Sequence, residues 1–451
     1  MVEDNHKPLK FWHFSTYGFA SIGKVAVEML LQLYLFDFYT RLLGLSPILA
    51  GSAFAIAIIW DAISDVIVSA LLMHARKKKL LYTTVIFFGS FILSISAYML
   101  FAVGLGESQM RLFLQLLFAY VFVNTGMTLV DLPQTSLSSE LTPQSDERNK
   151  LLGFRLGMSI LGLTIGSALP GLLLENDSES AVAAARTDSG AFIAILIVVS
   201  SMFTVVGLRK RDRISTEIRE IEIPSFQEAI AVLKQEDFRQ ILYASLIAAV
   251  GRTINSALAL IYYRLVLNLS EKSVTQIIFP VFTLSIVLSI PLWVQLSKHY
   301  GKARPAWVSV GVLGIMGIVA YPVLPEGMVW PVLFVSIVGG ILCGAVFLVD
   351  SMITDLIDED EATSGKRKES LFFAIQKSTV KISRAIAFIF VGSCLEIFNL
   401  NVADATASPK EQWIIIGLFG FAVGLCFIAS SYYLRKTEVI FNQNHVKGES
   451  L

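Results

Sequence analysis

The chain is poor in charge. Of its 451 residues, 16% are Asp, Glu, Lys or Arg, where a soluble domain carries roughly 25%. The 36 basic and 36 acidic residues cancel, so no field of one sign draws the chain to nucleic acid, and no nucleic-acid partner is expected. Cysteine is scarce too. Cys343, Cys394 and Cys426 all lie in apolar stretches, without a disulfide framework or a metal-ligand spacing, and they read as small packing residues. The five histidines are scattered. No G-x-S-x-G, P-loop or H-E-x-x-H is present, so nothing reads as an enzyme or calls for a resident cofactor. The polar opening from Met1 to Lys10 precedes an apolar run too long for a signal peptide, and no removable leader is expected.

What fills the chain is apolar: 55% of residues are hydrophobic and the mean hydropathy is +0.66. These residues fall into runs of about twenty or more, the length that crosses a bilayer as helix. Twelve spans are predicted, roughly 14–42, 46–73, 80–103, 111–138, 151–174, 190–208, 239–266, 274–297, 305–324, 328–354, 370–397 and 411–434. The fold class is therefore an all-α, multi-pass membrane protein in a lipid bilayer. Basic residues collect in alternate connections: Arg76 to Lys79, Arg148 to Lys150, Arg209 to Arg213, Lys298 to Arg304, Lys366 to Lys368, and Arg435-Lys436. The others carry few, such as Arg111, Arg186, Lys272 and Lys410. The positive-inside rule places the rich connections and both termini in the cytoplasm.

The longest charged segment, 209–238, falls between spans six and seven. Pro224 and the apolar-periodic piece Phe226 to Leu233 make it a linker with a short helix at the cytoplasmic surface. It divides the chain into a six-helix half at 1–208, the linker, a six-helix half at 239–434 and a tail at 435–451. A repeat relates the halves at an offset of 219: Leu129-Val130-Asp131 returns as Leu348-Val349-Asp350, Glu140 as Glu359 and Arg148 as Arg367. Two six-helix halves joined in this way resemble the major facilitator fold, whose substrate site lies near the bilayer midplane.

Ionisable residues at membrane depth are the candidates for function. Trp60-Asp61-Ala62-Ile63-Ser64-Asp65 lies inside span two, and its two carboxylates stand four residues apart on one helix face. Each costs at least about 2.5 kcal/mol there unless it meets a cation. A bound Na⁺, a shared proton or a neighbouring basic side chain would each relieve them. In span one, Lys24 and Glu28 are spaced to pair, or Lys24 serves the transport path. In span four, Thr128 precedes Asp131 by one turn, giving hard oxygens on one face, unless Thr128 bonds its own backbone. Arg155 in span five either snorkels to the interface or pairs with Asp131. Arg252 in span seven is expected to have an interior partner. Span eleven carries Lys377, Lys381 and Arg384, and a lysine beside Asp61 or Asp65 would compete with a cation. The charged stretch Asp355 to Glu369 reads as a solvated loop, or as salt bridges between the halves that open and close.

Together these residues resemble the glycoside–pentoside–hexuronide:cation symporter family over nearly the whole chain. The motifs are Tyr17-Gly18 with Gly23-Lys24, Trp60 to Asp65, Asp131-Leu132-Pro133, and Asp355-Leu356-Ile357-Asp358 through Gly365-Lys366-Arg367. The resemblance implies a Na⁺ or H⁺ site at Asp61 and Asp65, helped by Thr128 and Ser64. It implies sugar contacts at Asp131 and Arg155 and a charge partner at Lys381. Charge at membrane depth adds Lys24 as a substrate contact and Lys377 and Arg252 as coupling residues. The resemblance also implies co-transport of a cation with a small-molecule sugar or glycoside by alternating access, in a bacterial inner or plasma membrane.

Four departures from that pattern stand out, and the first two weaken its sugar half. Val25 stands where the family has a sugar-binding aspartate. Gln134 and Thr135 replace its aromatic platform, Ser64 replaces an asparagine, and His74 to Lys79 replaces a richer loop. A sodium-coupled symporter of lysophospholipids, which resembles the family in the cation aspartates, is the alternative reading. A transporter-like receptor that moves nothing is a third.

Overall fold

In lipid a backbone finds no water to bond, so an apolar run satisfies itself as helix. The computed structural model describes residues 9–104, 106–142, 144–212, 226–366, 368–404 and 406–448, and every regular element among them is helical. The chain divides into two compact units, Met1–Glu220 and Ile221–Leu451.

Unit 1 contains α1 (Phe11–Leu35), α2 (Pro47–Lys77), α3 (Tyr82–Phe101), α4 (Gln109–Leu141), α5 (Ser145–Leu172) and α6 (Glu179–Leu208). Unit 2 opens with the short α7 (Phe226–Lys234). It continues with α8 (Glu236–Leu265), α9 (Glu271–Tyr300), α10 (Ala303–Val323), α11 (Val329–Ser364), α12 (Glu369–Ile397) and α13 (Pro409–Glu438). Eleven of the described helices are long and apolar enough to cross a membrane. The twelfth predicted span forms α12, a helix of 29 residues that carries Lys377, Lys381, Arg384 and Glu396 and is not among the eleven. Linker residues 213–225, with Pro224, and Arg367 of the repeat lie outside the described residues.

Several helices, α2, α4, α6 and α11 among them, overrun their predicted spans, because extending a formed helix is cheap once it is nucleated. Their ends are set by caps instead. The Ser178 hydroxyl accepts from the Ala181 amide at 3.3 Å, so α6 starts at Glu179 and Arg186, expected in a connection, is helical. α5 starts at Ser145 and takes in Arg148 and Lys150. α11 runs to Ser364 and stops at Gly365, whose φ of +69° suits the left-handed cap position that glycine fills without strain. The stretch 355–361, expected as a loop, is therefore helix. Its charges pair inside unit 2: Lys302 with Asp355 at 2.5 Å, and Lys368 with Asp360 at 2.9 Å.

Each unit packs its helices in the same pattern. In unit 1, α1 meets α5 and α6, α2 meets α4, and α3 meets α6. In unit 2, α8 meets α12 and α13, α9 meets α11, and α10 meets α13. The internal repeat is thus carried by packing as well as by sequence. The α1–α5 contact depends on Gly162 and Gly166: an added Cβ would stand 2.3 Å from the Ile22 carbonyl oxygen and 2.2 Å from that of Ala26. This is the small-xxx-small approach by which membrane helices gain contact without a hydrophobic drive.

Candidate functional site

The site is built on α4 and begins with a clamp. Pro133 lies inside α4 and cannot donate to the helix ladder. Beside it, the fully buried Gln134 turns toward α1. Its Nε2 donates to the Tyr17 carbonyl at 2.7 Å and to Ser21 Oγ at 3.1 Å. The Tyr17 hydroxyl donates back to the Gln134 carbonyl at 2.9 Å. The position expected to replace an aromatic platform is therefore a fastening between α1 and α4.

With α4 held so, Asp131 lies within reach of both neighbouring helices. Lys24 on α1 pairs with its Oδ1 at 2.7 Å, and Arg155 on α5 with the same oxygen at 2.6 Å. Arg155 also donates to Thr135 Oγ1, one turn further along α4, at 2.8 Å. Lys24 thus pairs across helices with Asp131, and Glu28 is exposed. Arg155 pairs as well, and does not simply snorkel. The three side chains keep 18%, 30% and 19% of their surface exposed, so the set is reachable. Two cations share one carboxylate, and Glu28 adds a second negative charge to the surroundings of Lys24.

One turn earlier, α4 meets α2. The Thr128 hydroxyl lies 2.8 Å from Asp65 Oδ1 and 3.1 Å from its own-helix Asn124 carbonyl. Asn124 Nδ2 donates to the Ala57 carbonyl at 3.1 Å, and Trp60 Nε1 to Thr125 Oγ1 at 3.1 Å. Three polar links therefore fix the register of α2 on α4. Asp61 stands one turn before Asp65 on α2. Ser64 is buried, and its hydroxyl donates to the Asp61 carbonyl at 3.1 Å. Carboxylates with a hydroxyl are hard oxygen donors, suited to Na⁺ or a proton. Among the described residues no group of three or more His, Cys, Asp or Glu gathers to hold a metal ion.

A family model described as MFS/sugar transport protein matches residues 16–437. The chain belongs to the MFS/sugar transport protein family. It is similar to an uncharacterized symporter of Bacillus subtilis, YjmB, with 21% identity over 96% of this chain and 94% of that one. It is also similar to the sodium-dependent lysophosphatidylcholine symporter 1 of Mus musculus, with 23% identity over 74% and 67%. The isoprimeverose transporter of Lactiplantibacillus pentosus is 21% identical over 90% and 84%. Among solved structures, the nucleoside transporter NupG matches with a TM-score of 0.65 and 14% identity over 93% and 98%, a likeness of fold. The chain is a multi-pass membrane transporter of the major facilitator fold, not an enzyme.

The other predicted residues of this MFS transporter belong to unit 2. Lys377 is exposed, and Lys381 and Arg252 are half-buried. The ion-pair partner expected for Arg252 is not found among the described residues. Asp350 and Arg384 are the charged groups in its surroundings, while Asp350 accepts a hydrogen bond from Gln376 Nε2 at 2.7 Å.

Two buried charge sets in unit 1 were not anticipated. Arg76, read as a connection charge, is 5% exposed. It pairs with Glu140, and with Asp212 at 3.2 Å. Asp212 in turn accepts from the Thr83 amide at 2.7 Å. The second set is Asp37 with Arg41 at 2.8 Å and Arg186 at 4.0 Å, with Arg186 also over the Tyr34 ring. Asp37 and Arg41 share a helix at i, i+4, a spacing that could have flagged them. No spacing links either to Arg186.

Proposed function

We propose that the chain is a secondary active symporter that moves a sugar or glycoside together with Na⁺ or H⁺ by alternating access. Asp61 and Asp65, with Thr128 and Ser64 beside them, take the cation. Asp131, Arg155 and Lys24 take the substrate, whose hydroxyls exchange for parts of the ion-pair set. The observation that carries this reading is that α4 holds Thr128 against Asp65 and Asp131 against Lys24 and Arg155 within one helical turn. A cation that orders Thr128 and Asp65 fixes the part of α4 that presents Asp131. Occupying one set thus favours the other, with a coupling of about 1–3 kcal/mol as is usual for linked sites. On this reading the protein sits in a bacterial inner or plasma membrane with both termini cytoplasmic, and needs no resident cofactor.

A lysophospholipid substrate is the second reading. It is favoured by the name of the mouse relative and by Val25 where a sugar-binding carboxylate is expected.

Calorimetry on the purified protein tests both. Na⁺ and H⁺ binding is measured alone, with a panel of glycosides, and with lysophospholipids. A ligand that tightens cation binding names the substrate class, and Asp65→Cys is expected to remove the effect. Cation binding absent under every condition would overturn the symporter reading.

A further inference from the structure

The helices that carry the neighbours of Asp131 have counterparts around Asp350. In unit 1, Asp131 is reached from α1, the first long helix of the unit, by Lys24, and from α5, the next helix in the chain, by Arg155. In unit 2, α8 is the first long helix and carries Arg252. α12 follows α11 and carries Gln376, 26 residues after Asp350, as Arg155 follows Asp131 by 24. The packing agrees, since α8 meets α12 as α1 meets α5. Arg252, Asp350 and Gln376 therefore stand on the helices that correspond to those of Lys24, Asp131 and Arg155.

The two sets differ in one respect. In unit 1 both partners of the carboxylate are cations and both touch it. In unit 2 the carboxylate accepts from a neutral amide at 2.7 Å. Arg252 then has no hydrogen bond and no ion pair within 4.0 Å among the described residues. Arg384 adds a second guanidinium to its surroundings. A guanidinium in a membrane-crossing helix is costly to keep and usually marks function. Its planar fork is complementary to a carboxylate or phosphate, which it binds by two parallel hydrogen bonds.

We propose that Arg252 on α8, together with Asp350 and Gln376 on the two helices packed against it, forms a second binding subsite, carried by unit 2, that takes an oxyanion of the substrate, a carboxylate or a phosphate. This deepens the symporter reading and rests on it. The oxyanion can come from a soluble acid or from a lipid headgroup.

The test is thermal unfolding of the full-length protein in detergent with D-glucuronate, D-glucose 6-phosphate, a short-chain lysophosphatidylcholine, or D-glucose as the neutral control. At least one anion-bearing probe is expected to raise the unfolding temperature saturably where glucose does not, and which one does so identifies the source. In Arg252→Gln the apparent affinity for that probe is expected to fall on the order of 10- to 100-fold. Arg252→Lys keeps the charge but not the fork and recovers part of it. The unliganded unfolding temperature of each variant shows whether it is folded, and Gln376→Leu, which disturbs the same set from α12, is expected to weaken the same probe if Arg252→Gln is not folded. The proposal is overturned if no anion-bearing probe moves the wild type, or if the shift survives unchanged in Arg252→Gln, or in Gln376→Leu where that variant stands in. A Na⁺-dependent stabilisation lost in Asp65→Cys is read in the same assay, so the subsite can fail while the symporter reading stands.

Discussion

Two of the ion clusters in unit 1 are built in opposite ways, two cations on the Asp131 carboxylate and two carboxylates on the Arg76 guanidinium, and they are placed for opposite purposes. Around Asp131, Lys24 and Arg155 keep roughly a fifth of their surface, and the aspartate about a third. Around Arg76, the guanidinium keeps 6% and Asp212 none, while Glu140 at the edge keeps 21%. Both clusters join three parts of the chain. The buried one satisfies its charges with protein alone, since Asp212 accepts from the Thr83 amide and hydroxyl as well as from Arg76, and the Tyr82 ring lies 4.0 Å under the guanidinium. The half-open cluster has two cations sharing one carboxylate oxygen and a face left uncovered. An ion pair that a ligand can reach can trade a partner for that ligand. One that is sealed can only hold helices together. What separates the two is the exposure of the shared group at the centre, 30% for Asp131 and 6% for Arg76.

The largest expected effect lies in the sealed cluster. Arg76→Gln removes the shared partner and leaves the buried Asp212 and the half-buried Glu140 without their cation. Breaking a buried pair in this way costs about 3–5 kcal/mol. The thermal unfolding temperature in detergent is expected to drop accordingly, while the folded fraction keeps its Na⁺ affinity. A variant of normal stability that has lost cation binding would show that the sealed cluster is functional after all, and the contrast with Asp131 would collapse.

Next in size is Asp131→Asn. The variant leaves Lys24 and Arg155 without their shared carboxylate, and loss of one member of a charge pair at a binding site is worth roughly 2–5 kcal/mol. Substrate-dependent uptake into proteoliposomes is expected to fall on the order of 100-fold. The unfolding temperature is expected to move much less than in Arg76→Gln, because water reaches the remaining charges. If Asp131→Asn unfolds the protein and Arg76→Gln does not, the roles of the two clusters are reversed.

How far these arrangements were legible in the sequence follows the same division. The spans were legible because hydropathy is a one-dimensional property. Their ends were not: Arg148, Arg186 and Asp355 all appeared to lie in connections and all lie in helix. A helix that leaves the apolar layer keeps winding until a cap stops it, and hydropathy does not report caps. Pairs on one helix, such as Asp61 and Asp65, were legible from the 3.6-residue period. Pairs across helices were only offered as alternatives. Lys24 could have joined Glu28 by spacing, and it joins Asp131 because Gln134 clamps α4 to α1. That clamp was invisible, since a glutamine beside a proline carries no sign of which neighbour it faces. Arg252 shows the limit from the other side. An interior partner was the reasonable expectation for a membrane-depth arginine, and the carboxylate that could have supplied one is held by Gln376.

The smallest expected effect distinguishes two hydroxyls at the cation pair. Both Thr128 and Ser64 are candidate ligands, and both are buried. The Thr128 hydroxyl is 2.8 Å from Asp65 Oδ1 and so already stands beside a carboxylate that would hold the cation. The Ser64 hydroxyl donates to a backbone carbonyl of its own helix, and that carbonyl belongs to Asp61. Losing the first removes a hydrogen bond to a charged group and an oxygen ligand together, worth about 1.5–3 kcal/mol. Losing the second frees a carbonyl that the helix ladder already satisfies, and costs at most about 0.5 kcal/mol, the range of a substitution with no special role. Calorimetric Na⁺ affinity is therefore expected to weaken on the order of tenfold or more in Thr128→Ala, and less than about twofold in Ser64→Ala. Equal losses would mean that Ser64 turns from its own carbonyl to the cation on binding. The oxygen set would then be supplied by α2 more than by α4, and the helix argued to couple the two ligands would lose its part in cation binding.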